Sequence, residues 1–269
     1  MIRVKASGLS DVGLARTHNE DCFEIDQDLQ VYVVADGMGG HSHGEVASRI
    51  AVTAMHDFIA QTTEDDMTWP VPYDTKLRRY ANRLKAAVRV AHDKVLRAIR
   101  HDASLVGMGT TVVSLIVEGP RGSIAHVGDS RAYRCRGGKL ELLTQDHTWV
   151  NEQVVAGYLS EDQARTHPLK NVVTRALGGE SEVLVDIQEV DLKPGDLYLL
   201  CSDGLTTMLS DTDIEDHIKK SALPEELCRG LVKDANGRGG LDNITVIVLA
   251  VEDDPDADED EEDVQLPKL

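Results

Sequence analysis

The chain is short of aromatic residues, clustered cysteines and long apolar runs, and each shortage excludes something. Two tryptophans, two phenylalanines and six tyrosines in 269 residues leave a core to be built from Val, Leu, Ile and Ala, a composition suited to helices packed on sheets. The four cysteines, Cys22, Cys135, Cys201 and Cys228, lie far apart and form neither a CxxC pair nor the dense framework of a small secreted domain. Reduced thiols in the cytoplasm are expected. No stretch approaches the run of roughly eighteen apolar residues that a membrane span needs, and the N-terminus, MIRVKASGLSDVG, lacks the charged-then-apolar pattern of a secretion signal. The expectation is an intracellular protein with no membrane partner.

Cations are also scarce, with 28 Lys and Arg against 47 Asp and Glu and a net charge of -19. Nucleic-acid binding rests on cationic contacts to phosphates, so this balance argues against it. The negative charge is unevenly placed. Glu252 to Asp263 carries ten carboxylates, with Lys268 the only cation after them, which leaves -10 for the rest of the chain. Such a run repels itself and buries nothing, so residues 252–269 are expected to form a disordered acidic tail. An apolar content of 41% suffices for one domain over residues 1–251 without disulfides.

Within that domain, a β-like start precedes Leu29 to Ala35 (LQVYVVA), a buried strand running into Asp36-Gly37-Met38-Gly39-Gly40. Val46, Ala47, Ile50, Ala51, Ala54, Met55, Phe58 and Ile59 then recur at helical spacing, as do Leu77, Tyr80, Ala81, Leu84, Val88, Ala91, Val95 and Ile99. From Thr110, the runs TTVVSLIVE, GSIAHVG, RAYRCRG and KLELL are separated by Gly-rich turns too short for crossover helices, which predicts an antiparallel meander. Residues 148–171 are polar and partly helical. VVTRALGG, VLVDIQEV and DLYLLCSDG are expected to resume the β pattern, followed by helical turns at 211–219 and 224–235 and a last strand at 243–251. The whole predicts an α+β layered domain.

Three apolar strands end alike: VYVVADG at Asp36, SIAHVGDS at Asp129 and LYLLCSDG at Asp203, while Asp242 stands just before the final strand. Singly, each reads as a turn former or cap. If the strand ends share an edge, the carboxylates repel one another unless cations are bound, and oxygen ligands without Cys or His favour Mg2+ or Mn2+ over zinc. A pair of such ions activates water and clamps the oxygens of an in-line displacement, as hydrolysis of an inert phosphate ester requires. Arg16-Thr17-His18-Asn19-Glu20-Asp21 adds two carboxylates and a guanidinium able to grip a phosphate in a fork.

The ordered set RTHNED, DGMGGH, GTT, GDSRAY, TQDH, VVTRALGG, SDGL and DNIT, spanning about Gly8 to Val251, resembles the metal-dependent PP2C (PPM) protein phosphatases, in particular their compact bacterial members. The resemblance implies a four-layer αββα sandwich of two antiparallel β-sheets flanked by antiparallel helix pairs, with Mn2+ or Mg2+ in a cleft at one end. It further implies that Asp36 bridges two metals, that the Gly37 carbonyl and Glu20 serve the second, and that Asp203 and Asp242 complete the first. Asp21 would orient water, Arg16 would hold the substrate phosphate, and Asp129 with Asp203 would bind a third, weaker ion. Residues 148–170 correspond to the family's variable flap. The implied partners are phosphorylated proteins, a serine/threonine kinase among them, with no obligate oligomer.

Met38 stands where animal relatives carry a histidine proposed as general acid, and a thioether donates no proton. His41 is near in sequence, although a loop-fixing role is the plainer reading. Ser130 lacks a nucleophile elbow, Cys201 reads as a small core residue, and Gly107 to Thr111 reads as a strand start. Two other functions compete. A silent phosphoprotein-binding relative would lack the metal carboxylates, and an aspartyl-phosphate signalling domain would need parallel strands alternating with helices.

Overall fold

The computed structural model describes residues 1–39, 43–62 and 72–254; His41 and most of the acidic tail lie outside them. In chain order the elements are β1 (Ile2–Asp11), β2 (Asp21–Asp26), β3 (Val31–Met38), α1 (His43–Gln61), α2 (Arg79–His101), β4 (Gly109–Thr110), β5 (Val112–Glu118), β6 (Arg121–Val127), β7 (Arg131–Arg136), β8 (Lys139–Leu142), α3 (Trp149–Val155), α4 (Glu161–Thr166), β9 (Asp186–Asp191), β10 (Leu197–Cys201), α5 (Asp203–Met208), α6 (Asp211–Lys220), α7 (Pro224–Gly237) and β11 (Ile244–Asp253). A short 3-10 turn at Ala103–Leu105 follows α2.

Alternation along the buried strands builds the layers. On β3, Val31, Val33 and Ala35 join one apolar cluster with Met55 and Ile59 of α1 and Leu84 and Val88 of α2. The intervening Tyr32 and Val34 face the opposite way, into a second cluster with Leu200 of β10 and Leu249 of β11. On β11 the alternation repeats in mirror order: Ile247, Leu249 and Val251 fill that central cluster, and Ile244, Val246 and Val248 pack with Leu205, Ile214 and Leu231 of α5, α6 and α7. A strand buried on both faces must be apolar at consecutive positions, which explains the continuous runs in β3, β5 and β11. Three clusters thus fill the three interfaces of an αββα sandwich.

One sheet has the order β1-β11-β10-β7-β8, and the other β2-β3-β5-β6-β9 with β4 added on β3. All pairings are antiparallel, so the expected meander is present and a doubly wound sheet is excluded. On the outer face of the β1-β11 sheet, α5 joins α6 and α7, giving three helices where a pair is expected.

Two local expectations need correction. VVTRALGG forms no strand. It makes single bridges to two different partners, Val173 with Thr148 and Leu177 with Thr110, and a segment divided between partners cannot extend a ladder. The last strand also runs past Val251 to Asp253, because β1 begins at Ile2 and pairs with Asp253. Glu252, expected in the tail, meets Lys5 at 2.8 Å. Among the described residues no helix is long and apolar enough to cross a membrane.

Candidate active site

The site begins with a strand that the sequence hides. Residues 21–26 (DCFEID) form β2, which places Asp21 directly opposite Asp36 on β3. The chain ahead of β2 is held by one buried amide. Asn243 Oδ1 accepts the Glu20 N–H at 2.8 Å, and its Nδ2 donates to the carbonyls of Val12 and His18 at 2.9 Å each. The Glu20 carbonyl accepts from Gly37 N at 3.2 Å and from Ser48 Oγ at 2.6 Å. The Glu20 carboxylate meets the N–H of Gly44, at the start of α1, at 3.3 Å, a position where a negative charge is favoured.

Glycines allow these backbones to touch. A Cβ on Gly37 would lie 2.2 Å from the Gly44 carbonyl oxygen, and one on Gly204 would lie 1.9 Å from that of Asn243. The second contact seats Asp203, at the first turn of α5, against the start of β11 beside Asp242. Asp36 leaves β3 with its N–H on Thr111 Oγ1 at 3.2 Å and its carbonyl accepting from Thr111 N and Thr110 Oγ1 at 2.9 Å each. Thr111 Oγ1 is in turn 2.7 Å from Ser130 Oγ, behind Asp129. Ser130 is therefore a buried strut and no nucleophile. Cys201 is a core residue whose thiol burial pushes up to about 12.

Electrostatics shows how closely the carboxylates gather. Asp36 is raised well above the ordinary carboxylate range, first by burial and then by the charges of Asp21, Asp203, Asp129 and Asp242. Burial, with Asp203 and Asp242 behind it, pushes Asp21 up to about 7. Burial and Asp203 push Asp129 up to about 8, and burial and Asp242 raise Asp203. Five carboxyl groups from five separate strand ends thus converge. Asp21 Oδ2 accepts from Ser202 Oγ at 2.8 Å, while its buried Oδ1 has no partner among the described residues.

Among the described residues, one cation bonds the cluster directly. Arg16 Nη2 bonds Asp242 Oδ2 at 2.7 Å, with both side chains substantially exposed. The residue expected at the substrate phosphate therefore rests on one of the expected metal ligands. Arg131 is fully engaged elsewhere, in a fork on Asp146 at 2.8 and 2.6 Å. One guanidinium cannot balance five buried or half-buried carboxylates, so the donor set fits hard divalent cations. Beside the cluster, Asp129 and Asp203 open on a groove of roughly 740 Å³ whose far wall is residues 148–171, including Val150, Asn151, Val154, Arg165 and Lys170.

A family profile for protein phosphatase 2C matches residues 15–231, which takes in Arg16, Glu20, Asp21, Asp36, Asp129 and Asp203. The chain belongs to the protein phosphatase 2C family. It is 38% identical to serine/threonine phosphatase stp of Listeria welshimeri over 248 residues, covering 89% of this chain and 93% of that one. It is 35% identical to protein phosphatase PhpP of Streptococcus pneumoniae, covering 93% and 99%. Among solved structures, the Mycobacterium tuberculosis phosphatase PstP/Ppp superposes with a TM-score of 0.82 at 34% identity, covering 94% of this chain and 100% of that one. The PstP catalytic domain in complex with two manganese ions superposes at 0.81 with 32% identity and the same coverage.

Sequence reasoning overlooked the residues that hold the site. β2 alternates poorly, and its six residues are all half-buried, so no period marks it. Asn243 and Ser202 stand beside Asp242 and Asp203, and that adjacency was their one signal.

Proposed function

We propose that this PP2C protein is a metal-dependent protein phosphatase that hydrolyses phosphoserine and phosphothreonine in proteins in the cytoplasm, acting against a bacterial serine/threonine kinase. The observation that carries the reading is the convergence of Asp21, Asp36, Asp129, Asp203 and Asp242, with Arg16 the one cation bonded to any of them among the described residues. Intact carboxylates argue against a silent binding relative, and the antiparallel sheets argue against an aspartyl-phosphate receiver.

Two Mn2+ or Mg2+ ions, when bound, supply the charge that acidifies water and draws electrons from the phosphate. Asp36, Glu20, the Gly37 carbonyl, Asp203 and Asp242 would hold them. Asp129 and Asp203 would share a third, weaker ion. Asp21, fixed by Ser202 through Oδ2, has its Oδ1 without a partner among the described residues, an acceptor that would take a hydrogen bond from water and so orient it. Arg16 is tied to Asp242 by an exposed pair of the kind worth about 0–1 kcal/mol, so it exchanges that carboxylate for a substrate phosphate at small cost. Charge and position do the rest, since phosphoryl transfer asks little covalent chemistry of the protein. Met38 gives the leaving oxygen no proton.

The test is release of phosphate from a phosphothreonine peptide in EDTA, Mg2+ and Mn2+. Turnover that requires metal is expected, and a well-folded protein inactive with both metals would favour the binding-module reading.

A further inference from the structure

Between β8 and β9 the chain leaves the sandwich as the groove wall and returns to it, and both of its ends meet at one carboxylate. His147, where the excursion begins, is joined in both directions to Gly128, the residue before Asp129. Its N–H donates to the Gly128 carbonyl at 2.8 Å, and its ring Nδ1 accepts the Gly128 N–H at 3.0 Å. Its Nε2 lies 3.1 Å from Asp186 Oδ2 at the start of β9. Arg175, where the excursion ends, donates from Nη1 to Asp186 Oδ1 at 3.2 Å. The two ends also bond each other: Trp149 N donates to Val172 O at 2.9 Å and Thr174 N to His147 O at 2.8 Å.

His126, paired with Asp186 across β6 and β9, completes a group whose ligand atoms all lie within 4.8 Å of one another. Two imidazoles and a carboxylate at that distance invite a transition metal. The tautomer argues otherwise. Because Nδ1 of His147 accepts a backbone N–H, the ring proton sits on Nε2 and points at Asp186, and a nitrogen that carries a proton has no lone pair for a metal. Metal-bound histidines show the reverse pattern, donating from the second nitrogen to an acceptor. For the same reason Nε2 cannot accept from Arg175, whose 3.2 Å approach to it accompanies its bond to the carboxylate. Burial keeps the His147 imidazole neutral, and the His126 ring packs on it at 4.5 Å between centroids. His147, Arg175 and Asp186 form a hydrogen-bonded latch.

We propose that Asp186 is a positioning residue for protein substrates: by holding His147 and Arg175 it fixes both ends of the 148–174 wall relative to Asp129, and so sets the shape of the groove that receives the peptide flanking the phosphorylated residue. The inference rests on the phosphoprotein reading above. A small ester reaches the carboxylate cluster without using the wall, whereas a peptide must lie along it. Asp186 itself is half-exposed, makes no contact with the carboxylate cluster in any bond described, and is replaceable without opening the core.

The experiment compares the full chain with Asp186→Ala and Asp186→Asn, in Mn2+, on a phosphothreonine peptide and on p-nitrophenyl phosphate. Asp186→Ala is expected to raise the peptide KM by on the order of tenfold, a size typical of a misplaced positioning element, and to leave peptide kcat and both p-nitrophenyl phosphate constants within about twofold of wild type. Asp186→Asn keeps an oxygen for the His147 Nε2–H and should restore most of the peptide KM. Equal losses on both substrates would show a merely structural residue and overturn the proposal, as would an unchanged peptide KM in Asp186→Ala. Wild-type protein inactive on both substrates would overturn the phosphatase reading itself.

Discussion

Asp21 and Asp36, both half-buried, face each other across the β2–β3 pair, with like charges and no cation bonded to either among the described residues. A fold does not place two carboxylates so for stability. Every unit of pKa displacement corresponds to about 1.4 kcal/mol of differential interaction, and both groups are displaced upward. The strain is the mark of a site completed by cations.

Removing one charge should therefore separate activity from stability. Asp36→Asn is expected to lower kcat by at least about a hundredfold, since it deletes the charge proposed to lie between the two ions. The same variant, freed of EDTA-extractable metal, should melt above the metal-free wild type, because a buried repulsion is gone. Phosphate release and thermal melts of the two proteins check both halves.

The pH dependence of the metal-free protein follows in sign. Asp21 at about 7 and Asp129 at about 8 lie above the unfolded carboxylate value of about 4, so between those limits the folded state holds more protons than the unfolded one. Stability should then be highest near the acid end of that window and decline as pH rises through 7 and 8. Bound cations replace those protons, so added Mn2+ should raise Tm more at pH 8 than at pH 6. Melts in EDTA and in Mn2+ across this range test it.

Arg16→Ala should raise the KM for a phosphopeptide by on the order of tenfold with a smaller change in kcat, as loss of a phosphate-gripping fork implies. Its exposed bond to Asp242 contributes little to stability, so Tm should hardly move. Unchanged KM in steady-state assays would remove Arg16 from the substrate site.

Gly204→Ala should be damaging out of proportion to one methyl. The added Cβ would stand 1.9 Å from the Asn243 carbonyl, backbone against backbone, and relief requires α5 and β11 to part. A loss of about 3 kcal/mol or more is expected in denaturant unfolding, together with weaker Mn2+ binding, since Asp203 and Asp242 sit on either side of the contact.

How much of this was legible in the sequence varies with the physics of each element. Strands buried on both faces announce themselves as apolar runs, so the ends at Asp36, Asp129 and Asp203 could be read directly, and the helical periods of α1 and α2 are equally plain. That the ends converge is a property of sheet order, which no local pattern contains, and it came from the family resemblance. β2 was invisible because a half-buried edge strand carries no alternation. VVTRALGG misled because β-branched residues signal extended backbone, and extended backbone bridging two separate partners is no strand. The Asp186 latch joins residues from three segments and has no sequence signature at all.

The most direct measurement is a titration of Mn2+ into metal-free wild type and Asp36→Asn by calorimetry, with phosphate release from a phosphothreonine peptide followed in the same samples. Two tightly bound ions and metal-dependent turnover in the wild type, with fewer ions and no turnover in Asp36→Asn, are the result expected if the carboxylate cluster is the catalytic metal site. An Asp36→Asn protein that still binds two ions and turns over at the wild-type rate would contradict it.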